Sequence, residues 1–396
     1  MLRVGYVFER FPSFGQTFCY REVAELIRQG AEVSIFSIRR PVAEPTEEWT
    51  PSIVARVRYL PGEAELVPEI DRAARTGELP AAARQTLKEW GRQPDFLRLY
   101  QAAWIGLRLR ESGLGRVHAH FAGMGARTAW WIRQFFGIEY SFTAHANDIF
   151  APRDFVVSLP KLMESAAAIV TVSDFSANQL RERFPAAAAK IHRVYNGIEI
   201  DRFRLADFRE TVPRIVSVGR LIEKKGFADL ISACATLRAK GVEFCCEIVG
   251  DGPLRAALGA QIAQMQLGEC VQLPGACRQA EIVDRLARST LFVLPCTTEA
   301  EGGMDNLPTV IMEAMAAGLP VISTPLAGVP EMVQPGVTGE LVPDRDPAAL
   351  VRAIEALLAE PARAREMGAR GRARAREKFA IEGNVRALAD ILARSA

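Results

Sequence analysis

Residues 299–324, EAEGGMDNLPTVIMEAMAAGLPVIST, carry more information about the architecture than any other segment of this sequence. They predict a glycine-bearing loop, a helix that begins near Pro308 and a short buried strand. Proline suits the first turn of a helix, because the N–H that it lacks would be unpaired there. The free amides and the dipole of such a turn attract a phosphate or a sugar hydroxyl oxygen. We therefore expect an oxygen-binding site at the start of this helix.

Two carboxylates accompany this helix. Asp305 stands in the loop and Glu313 follows eight positions later, so both side chains can face one surface that lines a cleft. For Glu313 the alternative is a solvated carboxylate that only stabilises the helix. The surrounding motif favours a binding role.

The segment SVGRLIEKKGFADLISA, residues 217–233, places two cations just beyond a predicted strand. The strand delivers Arg220 and a short loop delivers Lys225. Two fixed cations at this spacing suit a diphosphate, because they can balance its charge while it departs. Solvated surface charges are the alternative, and for Lys224 we expect a side chain that faces water.

Short apolar runs alternate with amphipathic, helix-like stretches along the whole chain, which is typical of βα units that build parallel sheets. In the first half we predict strands near residues 2–8, 33–38, 56–60, 116–120, 140–144, 168–172 and 191–195. In the second half, from residue 214 onward, the strand-like runs are RIVSVG, FCCEIVG, CVQLPG, TLFVLP, PVIST and GELVP. Two such sets predict an α/β protein with two doubly wound, Rossmann-like domains that face each other across a cleft.

A polar segment near residues 198–213 should separate the two domains, because Asn196-Gly197 closes a strand and no periodicity follows. We expect an N-terminal domain at 1–200 and a C-terminal domain at 210–375. A C-terminal helix at 378–396 should pack back on the first domain.

Composition narrows the classes of function and of cellular environment. The 396 residues have a formal net charge of +2, which does not suggest a nucleic-acid-binding surface. The first strand-like segment does not resemble a signal peptide, and no apolar run reaches the roughly 18 residues that span a bilayer. The seven cysteines show no C-x-x-C spacing, so we expect neither a zinc site nor a disulfide framework. A reducing cytoplasm fits this pattern best.

Segment 84–116 is helical in pattern and combines aromatic residues with an excess of arginine and lysine over acidic residues. Such a segment can lie against an anionic membrane surface. Helices that pack on the first sheet with a solvated basic face are the preferred interpretation. The arginine- and alanine-rich C-terminal tail predicts terminal helices, because acidic and apolar residues recur at helical spacing.

Ligands of open α/β sheets bind beyond the carboxyl ends of the strands, so polar residues that directly follow apolar runs are informative. This sequence has such residues in both halves: His120, His145, Ser173, Arg220, Asp251, Thr297 and Thr324. Their repetition predicts a polar cleft that both domains line.

Through several of these motifs, the second half resembles the nucleotide-binding domain of retaining glycosyltransferase family four, which has the two-domain GT-B fold. The matching stretches are VGRLIEKKGFADLISA, IVGDGPLRAAL, LPGACRQAEIVDRLARSTLFVLP, DNLPTVIMEAMAAGLPVISTPLAGVPEMV and GVTGELV. The first half resembles the family through FPSFGQTFCYREVAEL, VHAHFAGMGARTAWW, SFTAHANDIF, VTVSDFSANQLRERF and IHRVYNGIEIDRF. These stretches are similar to members that assemble bacterial exopolysaccharides and lipopolysaccharides.

The resemblance implies that Arg220 and Lys225 bind the diphosphate of a sugar nucleotide and that Glu313 holds its ribose hydroxyls. The family has a pair of glutamates here, but the first position is Asp305, which is one methylene shorter. Its carboxylate can still bind hydroxyls of the donor sugar. The implied backbone contacts to the sugar or β-phosphate come from Asn306, Leu307 and Thr309.

The same resemblance places the base of the nucleotide near residues 275–278. The donor-binding residues of this part of the chain are Gly219, Gly250, Gly252, Gly275, Ala276, Cys277 and Arg278. Gly250 and Gly252 should permit a close approach.

In the first half, His145 matches the family's histidine that approaches the donor sugar and phosphate. His118 and His120 alternate on one strand and can share a face, and His120 is a candidate for the acceptor side. Gly15 occupies the turn that approaches the diphosphate in the family. Gln16 stands on the acceptor side where related sequences often carry a glutamate.

The implied reaction is a front-face displacement, in which the diphosphate leaves and the acceptor hydroxyl attacks from the same side. Catalysis is then mainly positioning and charge stabilisation. We expect no metal and no cofactor beyond a UDP- or GDP-linked donor. The D-x-D at 344–346 precedes Pro347 and a helix, so Asp346 should be an N-cap.

Three alternatives belong to other classes of protein. A nicotinamide dehydrogenase is disfavoured, because no G-x-G-x-x-G follows the first strand. A nucleotide-sugar epimerase on the same fold would need no acceptor. A catalytically idle binding protein would keep the nucleotide site alone. The sequence thus predicts a cytoplasmic transferase whose partners are a nucleotide sugar and a saccharide or lipid-linked acceptor. An anionic membrane surface is the partner that the alternative interpretation of segment 84–116 adds.

Overall fold

The computed structural model describes residues 1–42, 48–150, 155–209 and 211–394. The chain forms two compact units. The first comprises Met1–Tyr195 with Glu382–Ala396, and the second comprises Asn196–Ile381. The division falls just before the predicted linker, because Ile198 is hydrogen-bonded through its backbone to Phe379 and Ile381 of the second unit.

The first unit is built on a seven-stranded parallel sheet. Its strands are β1 (Arg3–Arg10), β2 (Glu32–Arg39), β3 (Val57–Tyr59), β4 (Arg116–His120), β5 (Glu139–Ala144), β6 (Ala168–Thr171) and β7 (Ile191–Arg193). Their spatial order is β3-β2-β1-β4-β5-β6-β7. β1 is buried from Val4 to Phe8, as expected of a parallel strand that helices cover on both faces.

Nine helices of the first unit precede its last strand in the described part of the chain. They are α1 (Thr17–Arg28), α2 (Pro51–Val54), α3 (Glu63–Thr76), α4 (Ala81–Trp90), α5 (Phe96–Glu111), α6 (Met124–Phe136), α7 (Ala146–Phe150), α8 (Leu159–Ser165) and α9 (Asp174–Arg183). α5 packs directly on β1, since a Cβ added at Gly5 would come within 2.5 Å of Leu109. Gly5 therefore permits this close helix–sheet contact.

The second unit repeats the pattern with a six-stranded parallel sheet. Its strands are β8 (Arg214–Val218), β9 (Cys245–Val249), β10 (Val271–Gly275), β11 (Leu291–Leu294), β12 (Val321–Ser323) and β13 (Gly339–Leu341). Its helices are α10 (Phe227–Ala239), α11 (Arg255–Gln264), α12 (Gln279–Ala287), α13 (Thr309–Ala316), α14 (Val329–Met332), α15 (Pro347–Ala359) and α16 (Pro361–Lys378). The spatial order β10-β9-β8-β11-β12-β13 has the same topology as the first six strands of the first unit.

The C-terminal region forms helices, as its pattern predicts. In α16, Arg372 donates to the carbonyl oxygen of Ala316 and Arg374 to that of Met332, so two arginines satisfy the last turns of α13 and α14. The last helix, α17 (Ile381–Arg394), packs on the first unit, where Leu388 forms an apolar cluster with Val170.

Segment 84–116 forms α4 and α5, and α5 is largely buried. Arg98 is 11% exposed and pairs with Asp95. Arg108 pairs with Glu69 at 2.7 Å and stacks on Trp104. These contacts favour the packed interpretation of both arginines. Among the residues that the structure describes, no helix combines the length and apolar character needed to cross a membrane.

The topology confirms two doubly wound α/β domains and locates their switch points. The strand order reverses between β1 and β4 in the first unit and between β8 and β11 in the second. Open sheets bind ligands outside the carboxyl ends of the strands at such points. The candidate residues lie at the carboxyl ends of these four strands and of the nearby β5, β9 and β10.

Candidate functional site

In the second unit, three lysine and arginine side chains follow β8 at the switch point. Arg220 comes directly after the strand and is exposed. Lys225 closes a short 3-10 turn, and its Nζ lies 2.5 Å from Oδ2 of Asp305. The stem of Lys225 packs on Gly219, where an added Cβ would meet it at 3.2 Å. Lys225 therefore lies against the backbone segment that carries Arg220.

The expectation that Lys224 faces water is wrong. Its side chain is only 13% exposed, and its Nζ lies 3.7 Å from Oδ1 of Asp305. The local sequence does not predict this contact, because it depends on how the turn after β8 packs beside the loop that carries Asp305. The turn lets two adjacent lysines approach one carboxylate. Burial alone would lower the pKa of Lys225, but Asp305 raises it overall. Lys225 is thus a charged group that is largely removed from water.

Asp305 and Glu313 occupy the loop and helix that follow β11. α13 begins at Thr309, one residue after the predicted start, and Pro308 holds the position before it. The side chains of Asn306 and Glu313 are each 4% exposed, and Leu307 is also buried. The two carboxylate oxygens of Asp305 face the two lysines.

Gly250 and Gly252 permit a close approach, but it is an approach within the chain. An added Cβ at Gly250, whose φ is 144°, would lie 1.9 Å from the carbonyl oxygen of Gly219. At Gly252 it would lie 2.6 Å from that of Leu221. The two glycines thus bring the segment after β9 against the segment that carries Arg220.

The residues predicted to lie near the base follow β10. Gly275 has a φ of 92°, and its carbonyl oxygen accepts from the backbone N–H of Gly250 at 2.9 Å. Ala276 and Arg278 are exposed and Cys277 is half-buried. This turn is therefore joined to the loop after β9 and open to solvent.

In the first unit, three histidines lie together at the switch point. His120 ends β4 and His145 follows β5, and Nδ1 of His120 lies 3.1 Å from Nε2 of His145. The rings of His118 and His120 are 5.4 Å apart, so these residues share a face as expected. The backbone N–H of His145 donates to Asp148 at 2.9 Å.

Sequence reasoning missed the residues of β1 and α1 that complete this group. Oε1 of Glu22 lies 2.9 Å from Nε2 of His120 and accepts from the hydroxyl of Tyr6 at 2.8 Å. The Cys19 thiol also interacts with His120. Glu22 stands on an amphipathic helix with several charges, so its spacing gave no sign of a buried partner. Gly15 is exposed and Gln16 is half-buried in the turn before this helix.

Burial and neighbouring groups shift the pKa values of these residues in different directions. Burial lowers the pKa of His118 to about 3 and holds the pKa of His145 well below its usual value. Burial also lowers the pKa of His120, but Cys19 and Glu22 reverse this and raise it well above 6.5. Burial would raise the pKa of Glu22, yet His120 lowers it overall. The stable arrangement is a His120 imidazolium beside an ionised Glu22.

Glu22, His118 and His120 offer potential metal-ligand atoms within 4.8 Å of one another. However, Nδ1 and Nε2 of His118 already bind the hydroxyls of Ser141 and Thr143 at 2.8 and 3.0 Å. Nε2 of His120 is engaged with Glu22. The donor set therefore fits a hydrogen-bonded network better than a metal site.

The D-x-D motif also has a structural role. The carboxylate of Asp346 accepts from the backbone N–H of Ala349 at 2.8 Å and caps α15, as predicted. Arg345 pairs with Glu223 at 3.2 Å and donates to the carbonyl oxygen of Thr298 at 2.7 Å. The motif therefore supports the loop after β11.

The lowered pKa of His118 makes the free energy of unfolding depend on pH. The unfolded chain binds a proton at this residue as the pH falls through about 6.5, whereas the native state does so only near pH 3. The free energy of unfolding should therefore decrease as the pH decreases through this window. The contribution of this residue is about 1.4 kcal/mol per pH unit. Urea denaturation of wild type and His118→Asn measures the difference.

The variant is expected to have the shallower slope between pH 6 and pH 4. His192→Asn is the matched control, since His192 is half-exposed and its pKa is lowered less strongly. Equal slopes for the wild type and His118→Asn would show that His118 is not buried in its neutral form.

Together, the described residues provide two kinds of chemistry. The second unit offers cations and helix amides, which suit a diphosphate, with a buried carboxylate on the same helix. The first unit offers a buried neutral imidazole, which can donate or accept a hydrogen bond.

Comparisons with known proteins agree with this chemistry. Residues 15–202 match the family model of "Glycosyltransferase Family 4", and residues 200–374 match that of "Glycosyl transferases group 1". The chain is 30% identical over 390 residues to WcaL of Escherichia coli (strain K12), a proposed colanic acid biosynthesis glycosyltransferase, with 90% of each chain covered. AmsK of Erwinia amylovora, an amylovoran biosynthesis glycosyltransferase, is 39% identical over 211 residues, 53% of this chain and 52% of AmsK.

Solved structures show the same fold. Anabaena HepE in complex with UDP superposes with a TM-score of 0.72 and 18% identity, and the match covers 100% of both chains. At this identity the likeness concerns the fold alone.

Proposed function

The chain belongs to the glycosyltransferases of family four, and from this premise we propose that it transfers a sugar from a nucleotide sugar to a saccharide or lipid-linked acceptor. The anomeric configuration of the sugar is retained. The names of WcaL and AmsK support a role in exopolysaccharide biosynthesis. The donor is UDP- or GDP-linked, and no other cofactor takes part.

The cation cluster at the second switch point carries this proposal. Arg220, Lys224 and Lys225 lie in the segment that follows β8, and the N-terminus of α13 follows the neighbouring strand of the sheet. A diphosphate that leaves during sugar transfer gains negative charge, which fixed cations stabilise without reorganisation. Lys225 is only 13% exposed and is closer to Asp305 than Lys224 is, so water screens its charge poorly.

The carboxylates have different roles in this proposal. Glu313 is buried on α13 and binds the ribose hydroxyls. Before the donor binds, the Asp305 carboxylate pairs with Lys224 and Lys225 and holds them in place. When the diphosphate replaces the carboxylate beside these lysines, Asp305 becomes available to the donor sugar. Asn306, Leu307 and Thr309 provide backbone N–H groups, and residues 275–278 contact the base.

The first unit contributes to the sugar and acceptor side. His145 donates a hydrogen bond to the reacting sugar or its phosphate, and Gly15 lets the backbone approach the diphosphate. His120 and Gln16 belong to the acceptor side. The departing phosphate oxygen takes the proton of the acceptor hydroxyl, so no separate general base is needed.

We propose that the reaction proceeds without a metal ion, because Arg220, Lys224 and Lys225 can balance the diphosphate charge. Activity is therefore expected to survive EDTA. Complete loss of transfer on chelation, restored by magnesium or manganese, would contradict this part of the proposal.

We also propose that the enzyme acts in the cytoplasm, at the inner face of the membrane that carries its acceptor. Lys88 and Arg92 near the end of α4 are exposed cations that can meet anionic headgroups, unlike Arg98 and Arg108.

A panel of nucleotides tests the donor site. UDP or GDP at one hundred times its dissociation constant should stabilise the native state by about 2.7 kcal/mol, whereas the matching monophosphate at the same concentration should stabilise it less. Thermal unfolding in the presence of each nucleotide ranks the bases. If no nucleoside diphosphate shifts the melting temperature, the cation cluster is not a donor site.

A further inference from the structure

A row of three hydrogen-bonded groups links α1 to the end of β5. Oε1 of Glu22 lies 2.9 Å from Nε2 of His120, and Nδ1 of His120 lies 3.1 Å from Nε2 of His145. The two histidines are 2% and 7% exposed. Because His120 engages Nε2 of His145, a ligand of His145 would have to bind at Nδ1.

The position of one positive charge decides what Nδ1 of His145 can do. A charge on His120 touches the Glu22 carboxylate, whereas a charge on His145 is one ring farther away. If His120 carries the charge, it donates from both nitrogens and His145 accepts at Nε2. The one remaining proton of His145 then lies on Nδ1.

We propose that Glu22 and His120 are positioning residues that hold His145 in the tautomer whose Nδ1 donates a hydrogen bond to the donor sugar or its phosphate. This inference rests on the proposed role of His145 in sugar transfer. It adds two residues that act through His145 and need not touch the substrate.

The groups that surround His120 support this charge distribution. From β1, Tyr6 donates to Glu22 at 2.8 Å and so stabilises the ionised carboxylate. From α1, Cys19 interacts with the His120 ring. On β4, His118 is held between two hydroxyls and stays neutral. The ring of Phe8 lies parallel to that of His120 at 5.5 Å and shields it from water.

The direction of the pH dependence follows from the same charges. The pKa of His120 is raised, so His120 stays protonated beside Glu22 at neutral pH. As the pH rises through this pKa, His120 loses its Nδ1 proton and accepts from Nε2 of His145 instead. Nδ1 of His145 then becomes an acceptor, and transfer should decline on the alkaline side.

Glu22→Gln tests the proposal, because it removes the charge and keeps a hydrogen-bond acceptor of the same size. Tyr6→Phe is the matched control, since it removes a hydrogen bond to the same carboxylate and leaves the charge. Nitrogen-15 NMR of the ligand-free proteins, labelled at histidine, reports the protonation of Nδ1 and Nε2 of His145 directly. Transfer is measured against pH in parallel, with nucleotide affinity as a further readout.

In the wild type and in Tyr6→Phe, Nδ1 of His145 should be protonated at pH 7. In Glu22→Gln it should be unprotonated, the alkaline limb should move to lower pH, and kcat should fall by about one to three orders of magnitude. Nucleotide affinity should stay within a few-fold. Equal effects of both substitutions on kcat, or an unchanged His145 tautomer in Glu22→Gln, would overturn the proposal. The NMR result stands apart from the proposed function, which fails separately if no donor and acceptor pair is turned over.

Discussion

Lys225→Ala is expected to lower the kcat/KM of sugar transfer by about two to three orders of magnitude. Removal of one preorganised group that stabilises developing charge typically has an effect of this size. Lys225 is 13% exposed and lies on the backbone beside Arg220, so water cannot easily replace its charge. Steady-state kinetics with a saturating acceptor measure the loss.

The fold should persist in this variant, although Asp305 loses its nearer partner. Lys224 remains 3.7 Å from the carboxylate, and the melting temperature recorded for each protein shows whether that is enough. Lys240→Ala is the matched control, because Lys240 forms a surface ion pair with Glu355 on the same unit. Normal turnover of Lys225→Ala at normal stability would remove this lysine from the mechanism.

The sequence predicted the fold well because parallel strands covered on both faces are continuous apolar runs. RIVSVG and FCCEIVG, for example, correspond to β8 and β9 within one or two residues. The same regularity locates the strand ends, so the sequence identifies His120 at the end of a buried strand and His145, Arg220 and Lys225 as polar residues beyond such strands. These features depend on local pattern, which a single sequence contains.

The missing parts of the site depend on contacts between distant segments. Glu22 and His120 are 98 positions apart in the chain, and nothing in the spacing of α1 distinguishes Glu22 from a solvated helix residue. The approach of Lys224 to Asp305 likewise depends on how two loops fold beside each other. Gly250 could be identified as a close-approach residue, but only the structure shows that Gly219 is the group that approaches.

Replacing His145 and Glu313 by alanine should produce opposite patterns of loss. Glu313 lies on α13 of the second unit. Glu313→Ala should weaken the binding of the nucleoside diphosphate by about 1–3 kcal/mol, because a polar group of the ligand loses its partner. His145 belongs to the first unit, and in the proposed function its interaction is made mainly in the transition state. His145→Ala should therefore leave nucleotide affinity within a few-fold and lower kcat steeply.

His192→Ala is a suitable control for His145→Ala, because it removes another histidine of the first unit, on β7, outside the group around His120. It should change neither nucleotide affinity nor transfer. A drop in both quantities for the control would indicate that the first unit itself had been destabilised.

The most direct test of the central claim is calorimetry of the free nucleotide beside a transfer assay, run with and without acceptor, on wild type, His145→Ala and Glu313→Ala. We predict that product forms only with acceptor, that His145→Ala binds nucleotide normally and transfers little, and that Glu313→Ala binds nucleotide weakly. Donor conversion without acceptor, or equal loss of binding and transfer in His145→Ala, would contradict a transferase in which His145 acts on the reacting sugar.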